Sequence, residues 1–259
     1  MSEREVCVVI PVFNEQAVLG ETIEKLTTFL TRHLRQSWEV VIADNGSTDA
    51  TLQTAFEIQK QFLKNVRVEH LPVKGRGRAL KKAWSDSGSK ALLYMDADLS
   101  TSLESLLPML QSLSSDRYDL VIGSRMMKGA STQRSLKREV TSRVYNLLTK
   151  VALHTRISDA QCGFKGITKS AASILLPLVE DDGWFMDTEL LVLAEKMGFR
   201  ILEIPVEWKQ GKKSTVNVLE TSIHDIKGIL RMRRKLYRGN LRNNPQNALA
   251  NDTFKNKLD

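Results

Sequence analysis

Through the first half of the chain, short continuous apolar runs exchange regularly with segments of helical spacing, and few folds accommodate that pattern. Val6–Pro11, Trp38–Ala43, Val66–Leu71, Ala91–Met95 and Asp119–Gly123 read as strands: they are short, apolar and rich in β-branched residues. Between them, Glu15 to Leu34 carries Val18, Leu19, Ile23, Leu26, Phe29 and Leu30 at helical spacing. A second helix follows Ser47 or Thr48, either of which is suited to cap it. Ala79–Ser85 and Leu103–Leu113 complete the helical segments of this half. Strands that are apolar throughout need cover on both faces, so the expected class is α/β, a mostly parallel central sheet flanked by helices. Ligands of such sheets bind beyond the carboxyl ends of the strands. The loops to inspect are therefore Pro11–Glu15, Asp44–Asp49, Lys74–Arg78 and Asp96–Thr101.

The second half is less regular. Arg138–Leu153 is helical and basic at its start, Gln161–Thr168 returns to the sheet, and Asp187–Met197 is a helix. Arg200–Trp208 is a strand leading into a lysine-rich loop, and a last helix covers about Leu219–Tyr237. The Asn-rich tail after Gly239 reads as flexible. The expected organisation is one catalytic domain over 1–215, a basic amphipathic helix over 216–239 and a tail over 240–259.

Composition narrows the field further. A chain of 259 residues buries an adequate core without covalent staples. Its two cysteines, Cys7 and Cys162, are too few for a disulfide framework or a cysteine zinc site, and they suit a reducing compartment. The N-terminus does not read as a secretory signal, and no apolar run approaches the roughly 18–20 residues of a bilayer span. The expectation is a cytoplasmic protein, peripheral at the cytoplasmic membrane face. A net charge of +8 asks for an anionic partner, either phosphates, an acidic membrane surface or nucleic acid. No aromatic stacking set accompanies the charge, which disfavours nucleic acid.

The loops hold the chemistry. Asp96 and Asp98 follow an apolar strand with Ala97 between them, so an extended exit would aim both carboxylates one way. Mg2+ or Mn2+ favours one or two carboxylates, with its other positions left to phosphate oxygens and water. Asp44, after the second strand, is placed to accept from a base or a ribose hydroxyl, while Asp49 either lines the site or caps a helix. Phe13 offers an aromatic face for a base and Glu15 a carboxylate for a ribose. Lys74–Arg78 combines glycines with positive charge, as suits close approach to a diphosphate.

Four segments together, Ile10–Glu15, Asp44–Asp49, Gly75–Ala79 and Asp96–Asp98, resemble the family 2 glycosyltransferases of the GT-A fold. The resemblance runs from about Val6 to Trp208. Asp159–Lys165 and Trp184–Leu191 are most similar to the branch that glycosylates dolichyl or polyprenyl phosphate, either from UDP-glucose or, in the mannose branch, from GDP-mannose. It implies an inverting transfer, with a nucleotide diphosphate sugar and a lipid-linked phosphate as partners and Mg2+ or Mn2+ as cofactor. Pro11, Phe13, Glu15, Asp44, Arg76 and Asp96 would hold the donor; Asp96 and Asp98 would hold the metal. Arg125, Arg138 and Ser142 would serve the phosphates, and Asp159, Gln161, Trp184, Asp187 and Lys213 would touch acceptor or sugar. Three positions depart from the family pattern: Asn45 replaces a commoner aspartate, Ser100 stands where a relative uses glutamine, and Lys212–Lys213 is shifted relative to Gly-Ser-Lys.

A phosphate acceptor is already anionic near neutral pH and needs no base, whereas a hydroxyl acceptor does. For a hydroxyl, Asp187 and Glu189 are the candidates; equally, Asp187 caps its helix and Glu189 is a solvated or paired acid. In the last helix, Ile223, Ile226, Leu230 and Tyr237 share a side, with Lys227, Arg231, Arg234, Lys235 and Arg238 elsewhere. That pattern fits contact with an anionic membrane surface, and fits a helix packed on the domain as well. Outside the enzyme reading, a basic surface-binding module that keeps a nucleotide pocket without turnover has the same features.

Overall fold

The computed structural model describes residues 5–133, 135–211 and 218–237. Its core is a seven-stranded sheet built from β1 (Val6–Val12), β2 (Trp38–Asn45), β3 (Val66–Leu71), β4 (Ala91–Met95), β5 (Leu120–Ser124), β7 (Phe164–Thr168) and β8 (Ile201–Pro205). The order is β3-β2-β1-β4-β7-β5-β8, and only β7 runs antiparallel to its neighbours. Every residue of β1, β4 and β5 is buried, as strands covered on both faces require. Two apolar layers result. One packs α1 (Leu19–His33) and α4 (Leu106–Ser114) on the sheet through residues such as Ile23, Leu26 and Met109. The other packs α3 (Arg76–Asp86), α6 (Lys169–Leu175) and α7 (Met186–Lys196) around Trp84, Phe185 and Leu191.

Several boundaries differ from the sequence reading, each for a local reason. The return expected over Gln161–Thr168 is a strand only from Phe164, because 159–163 is a loop pinned beside Asp96. The strand expected over Arg200–Trp208 divides at Pro205, which lacks the N–H to continue a ladder. Beyond it, β9 (Glu207–Lys209) leaves the sheet to pair with the short β6 (Ser131–Gln133). Ser47 and Thr48 do not cap α2 (Thr51–Gln61): Ala50 holds the cap position, and Asp49 Oδ1, one residue before it, accepts from Thr51 N at 2.9 Å. The last helix, α8 (Val218–Tyr237), packs against α5 (Leu136–Leu153) and sends Ile229 and Met232 into the core. Among the described residues, no helix is long and apolar enough to cross a membrane.

Candidate active site

The loops after β1 and β2 are laced to each other by polar contacts. Ser47 Oγ accepts from Asn14 N at 3.0 Å, Asn14 Oδ1 accepts from Thr48 N at 2.8 Å, and Thr51 Oγ1 accepts from Glu15 N at 2.8 Å. Gly46 turns with a φ of +79°, where a Cβ would crowd the backbone of Pro72 to Lys74. Asn45 is buried; its amide donates to Val12 O at 2.6 Å and its oxygen accepts from Gly75 N at 3.3 Å. An aspartate could make only the second contact, which gives this departure from the family pattern a structural cause.

Asp44 is fully buried, and His70 Nδ1 lies 2.8 Å from its Oδ2. Its Oδ1 is buried with no hydrogen-bond partner among the described residues. A buried acceptor left open is costly, and a ligand N–H or O–H would relieve it. Pro11 is buried inside β1, paired with Ala43, so it shapes the strand end. Phe13 is half-buried, with the Lys74 ammonium 4.4 Å from its ring centroid.

Asp96 and Asp98 sit on a tight turn after β4 and not on an extended exit, so strand alternation is not what brings them together. Leu99, which closes the turn, takes a left-handed φ of 47°. Asp96 N donates to Gly163 O at 3.2 Å, and a Cβ on Gly163 would overlap the Asp96 carboxylate. Asp98 is exposed and accepts from Ser100 N at 3.0 Å, so Ser100 orders this turn through its backbone. Burial, and then the charges of Asp98, Asp49 and Asp96, push the Glu15 carboxyl above its ordinary range. Asp96 is pushed up as well, by burial first; Arg76 opposes the rise, while Asp98 and Asp187 add to it. This corner is short of positive charge, and a divalent cation fits it. Among the described residues no set of three or more His, Cys, Asp or Glu side chains forms a cage, so donor phosphates and water would complete the coordination.

Arg76 is the hub between this corner and the second half. Its guanidinium donates to Asp96 Oδ1 at 3.0 Å and to Asp187 Oδ2 at 2.8 Å, between the rings of Tyr94 and Trp184. The reach is set by Gly77, where a Cβ would fall 2.7 Å from Met186 Cβ. Asp187 also accepts from Tyr94 Oη at 2.5 Å and pairs with Lys165 Nζ at 3.1 Å. Burial works to raise Asp187, but Lys165 and Arg76 outweigh it and hold the carboxyl below its usual range. Phe185, not Asp187, occupies the cap position of α7, and the Asp187 carboxylate already has three side-chain partners. Glu189 is also buried and paired, accepting from Asp181 N at 2.9 Å and from Arg231 Nη2 at 2.9 Å. Tyr94 and Lys165 escaped the sequence reading. A lysine inside an apolar strand is the one signal that could have flagged this network.

The residues expected at the acceptor side are tied into the fold. Arg125 donates to both Asp159 oxygens, at 2.7 and 2.9 Å, and its guanidinium lies 5.5 Å from the Trp208 ring centroid. Gln161 Nε2 donates to Asp225 Oδ2 on α8 at 2.8 Å. Trp184 is exposed beside Arg76. Arg138 and Ser142 are half-buried, one turn apart on α5. Lys213 lies outside the described residues. Of the cations expected along α8, Arg231 and Lys235 are half-buried and turned to the domain, the first pairing with Asp181 and Glu189 and the second with Glu180, and Arg238 lies outside the described residues.

The chain is 35% identical over 232 residues to Glycosyltransferase AglD of Haloferax volcanii, covering 87% of this chain and 36% of that protein, so it spans about a third of that relative. It is 30% identical to the Dolichyl-phosphate beta-glucosyltransferase of Dictyostelium discoideum, over 87% of this chain and 73% of that one. The corresponding Saccharomyces cerevisiae protein is 29% identical, over 92% and 76%. Glucosyl-3-phosphoglycerate synthase from Mycobacterium tuberculosis, solved with Mn2+, UDP-glucose and phosphoglyceric acid, has the same fold: the TM-score is 0.66 at 18% identity, over 89% of this chain and 80% of that one. Residues 7–175 match the model named Glycosyl transferase family 2, and with it the chain belongs to that family.

Proposed function

We propose that this chain transfers a hexose, glucose from UDP-glucose as the leading case, with inversion onto a polyprenyl or dolichyl phosphate. The observation that carries the acceptor is the state of Asp187. A hydroxyl acceptor needs a nearby base. Of the two acids that the sequence offers for that role, Asp187 is held by Arg76, Lys165 and Tyr94, and Glu189 is fully buried with its Oε2 held by Arg231 and Asp181 N. A phosphate monoester attacks without giving up a proton, provided cations hold it in line. Relatives named for dolichyl-phosphate glucosylation support the same reading.

On the donor side, the open Asp44 Oδ1 would accept from the base and Glu15 from the ribose. Asp96 and Asp98 would hold Mg2+ or Mn2+, which when bound offsets charge developing on the departing diphosphate. Arg76, gripping Asp96 from the side, fixes the orientation of that carboxylate. Arg138 and Ser142 would orient the acceptor phosphate.

The test is turnover of UDP-glucose and GDP-mannose, each with Mn2+ or Mg2+, on a water-soluble prenyl phosphate and on the matching prenyl alcohol. Release of UDP with the phosphate alone is expected. Arg138→Ala should then cripple turnover while donor binding, read by thermal shift, persists. Transfer to the alcohol at a comparable rate would overturn the acceptor reading.

A further inference from the structure

Helix α5 turns most of its aliphatic side chains outward. Asn146 and Thr149 are turned inward, 6% and 1% exposed, while Leu136, Leu147 and Val151 are 82%, 62% and 66% exposed. Val140, Val144 and Leu148 are exposed with them. At about 100° per residue these six aliphatic side chains fall within an arc of about 120°. Arg138 and Ser142 fall on the opposite side, with Asn146 and Thr149. Tyr145, Ala152 and Leu153 still pack on the core, but in water the six exposed side chains forgo apolar burial.

Helix α8 packs against α5 and repeats the feature on a smaller scale: Ile223, Ile226 and Leu230 are exposed along one side while Asp225, Ile229 and Met232 point in. Its exposed cations Lys227, Arg233 and Arg234 border that apolar side.

We infer that the outer face of α5, with the neighbouring side of α8, docks on a lipid surface bearing anionic headgroups. The inference rests on the lipid-linked acceptor proposed above and gives that reading a geometry. The aliphatic arc of α5 enters the acyl boundary, the cations of α8 meet the headgroups, and the inner side of α5 presents Arg138 and Ser142 to an acceptor phosphate whose tail stays in the bilayer. A second copy of the chain fits this face less well, because a two-fold contact would bring the bordering cations against one another.

The test is flotation of the full chain with vesicles of phosphatidylcholine alone and of phosphatidylcholine mixed with phosphatidylglycerol. The same assay is run on the triple variant Val144→Gln, Leu147→Gln, Leu148→Gln. Binding to the anionic vesicles is expected, with a loss of more than about a hundredfold in the variant, since three aliphatic side chains that enter the acyl boundary on docking are replaced. All three positions are exposed, so the variant should keep its melting temperature and its turnover of a water-soluble prenyl phosphate. That second measurement separates failure of docking from failure of the acceptor reading. Equal binding of both proteins to anionic vesicles, equal binding to both lipid compositions, or no binding by the unaltered chain overturns the inference. So does a lipid-free dimer, seen by sedimentation, that the variant dissolves.

Discussion

Glu15 and Asp96 lie where negative charge meets too little compensation, while Asp187 and Asp159, at least as deeply buried, have more than enough. Burial comes first in raising both carboxyls; Asp98, Asp49 and Asp96 add to it at Glu15, and Asp98 and Asp187 add to it at Asp96. The second two are held down, against the same burial, by Lys165 and Arg76 in one case and by Arg125 in the other. The difference separates two uses of an acid. A carboxylate with its cation built into the fold is scaffold. One that stays raised even beside a cation, as Asp96 does next to Arg76, has room for further positive charge.

That distinction breaks first on stability. Asp187→Ala leaves Arg76 and Lys165 buried side by side without their common partner, and the loss of a buried pair's member costs about 3–5 kcal/mol. Urea denaturation should show that loss. Asp98→Asn should leave stability within about 0.5 kcal/mol, or raise it slightly, because it removes a repulsive charge from an exposed turn. If the two variants unfold alike, the division into scaffold and ligand-seeking acids fails.

It sharpens next on activity. Asp98→Asn should lower turnover by roughly a hundredfold or more, the scale of losing one strong electrostatic contact to a transition state. The stabilisation that UDP and Mn2+ together give the unaltered chain should shrink in parallel, since ligand binding raises stability by mass action. Retention of that thermal shift would move the metal away from Asp98.

The same contrast explains what could be read from sequence. The placement of Asp44 and Asp96 is legible because their strands are short apolar runs and each loop follows one directly, so order along the chain puts both at strand ends. The Asp187 network was not legible. Arg76 and Asp187 are 111 positions apart, and nothing local to Asp187 says that a lysine and an arginine reach it. Helix α5 shows a third kind of limit. Its apolar period is visible in sequence, but periodicity does not say which side faces out, and only Asn146 and Thr149 turned inward settle that.

A smaller effect tests the acids of α8. Asp225 is pushed up from 3.8 to about 6, by burial above all; Gln161 and His224 oppose the rise, while Asp181 and Asp187 add to it. A carboxyl raised in the folded state keeps its proton between the two values while the unfolded chain has lost it. Stability therefore falls as pH rises through that window, and the deficit persists above it. At about 1.4 kcal/mol per unit the deficit is at most about 3 kcal/mol, and about 2 after allowing for relaxation. Asp225→Asn keeps an acceptor for Gln161 without the charge. It should melt higher than the unaltered chain at pH 8, with the difference closing as pH falls toward 4. A constant offset across that range would mean that Asp225 is ionised at no cost and belongs with Asp187.

The smallest predicted effect concerns Asn45. Because its amide donates to Val12 O while its oxygen takes Gly75 N, it joins the end of β1 to the loop that starts α3. Asn45→Asp keeps the second bond and turns the first into a carboxylate oxygen facing a carbonyl oxygen. The cost should be about 1 kcal/mol, read as a lower melting temperature, because one buried hydrogen bond is lost and part of the new charge is solvated by rearrangement. Donor affinity should barely move if Asn45 is scaffold. A rise in metal-dependent UDP binding, with stability unchanged, would instead place position 45 among the ligand-seeking acids, and the aspartate common in the family would owe its presence to the ligand and not to the fold.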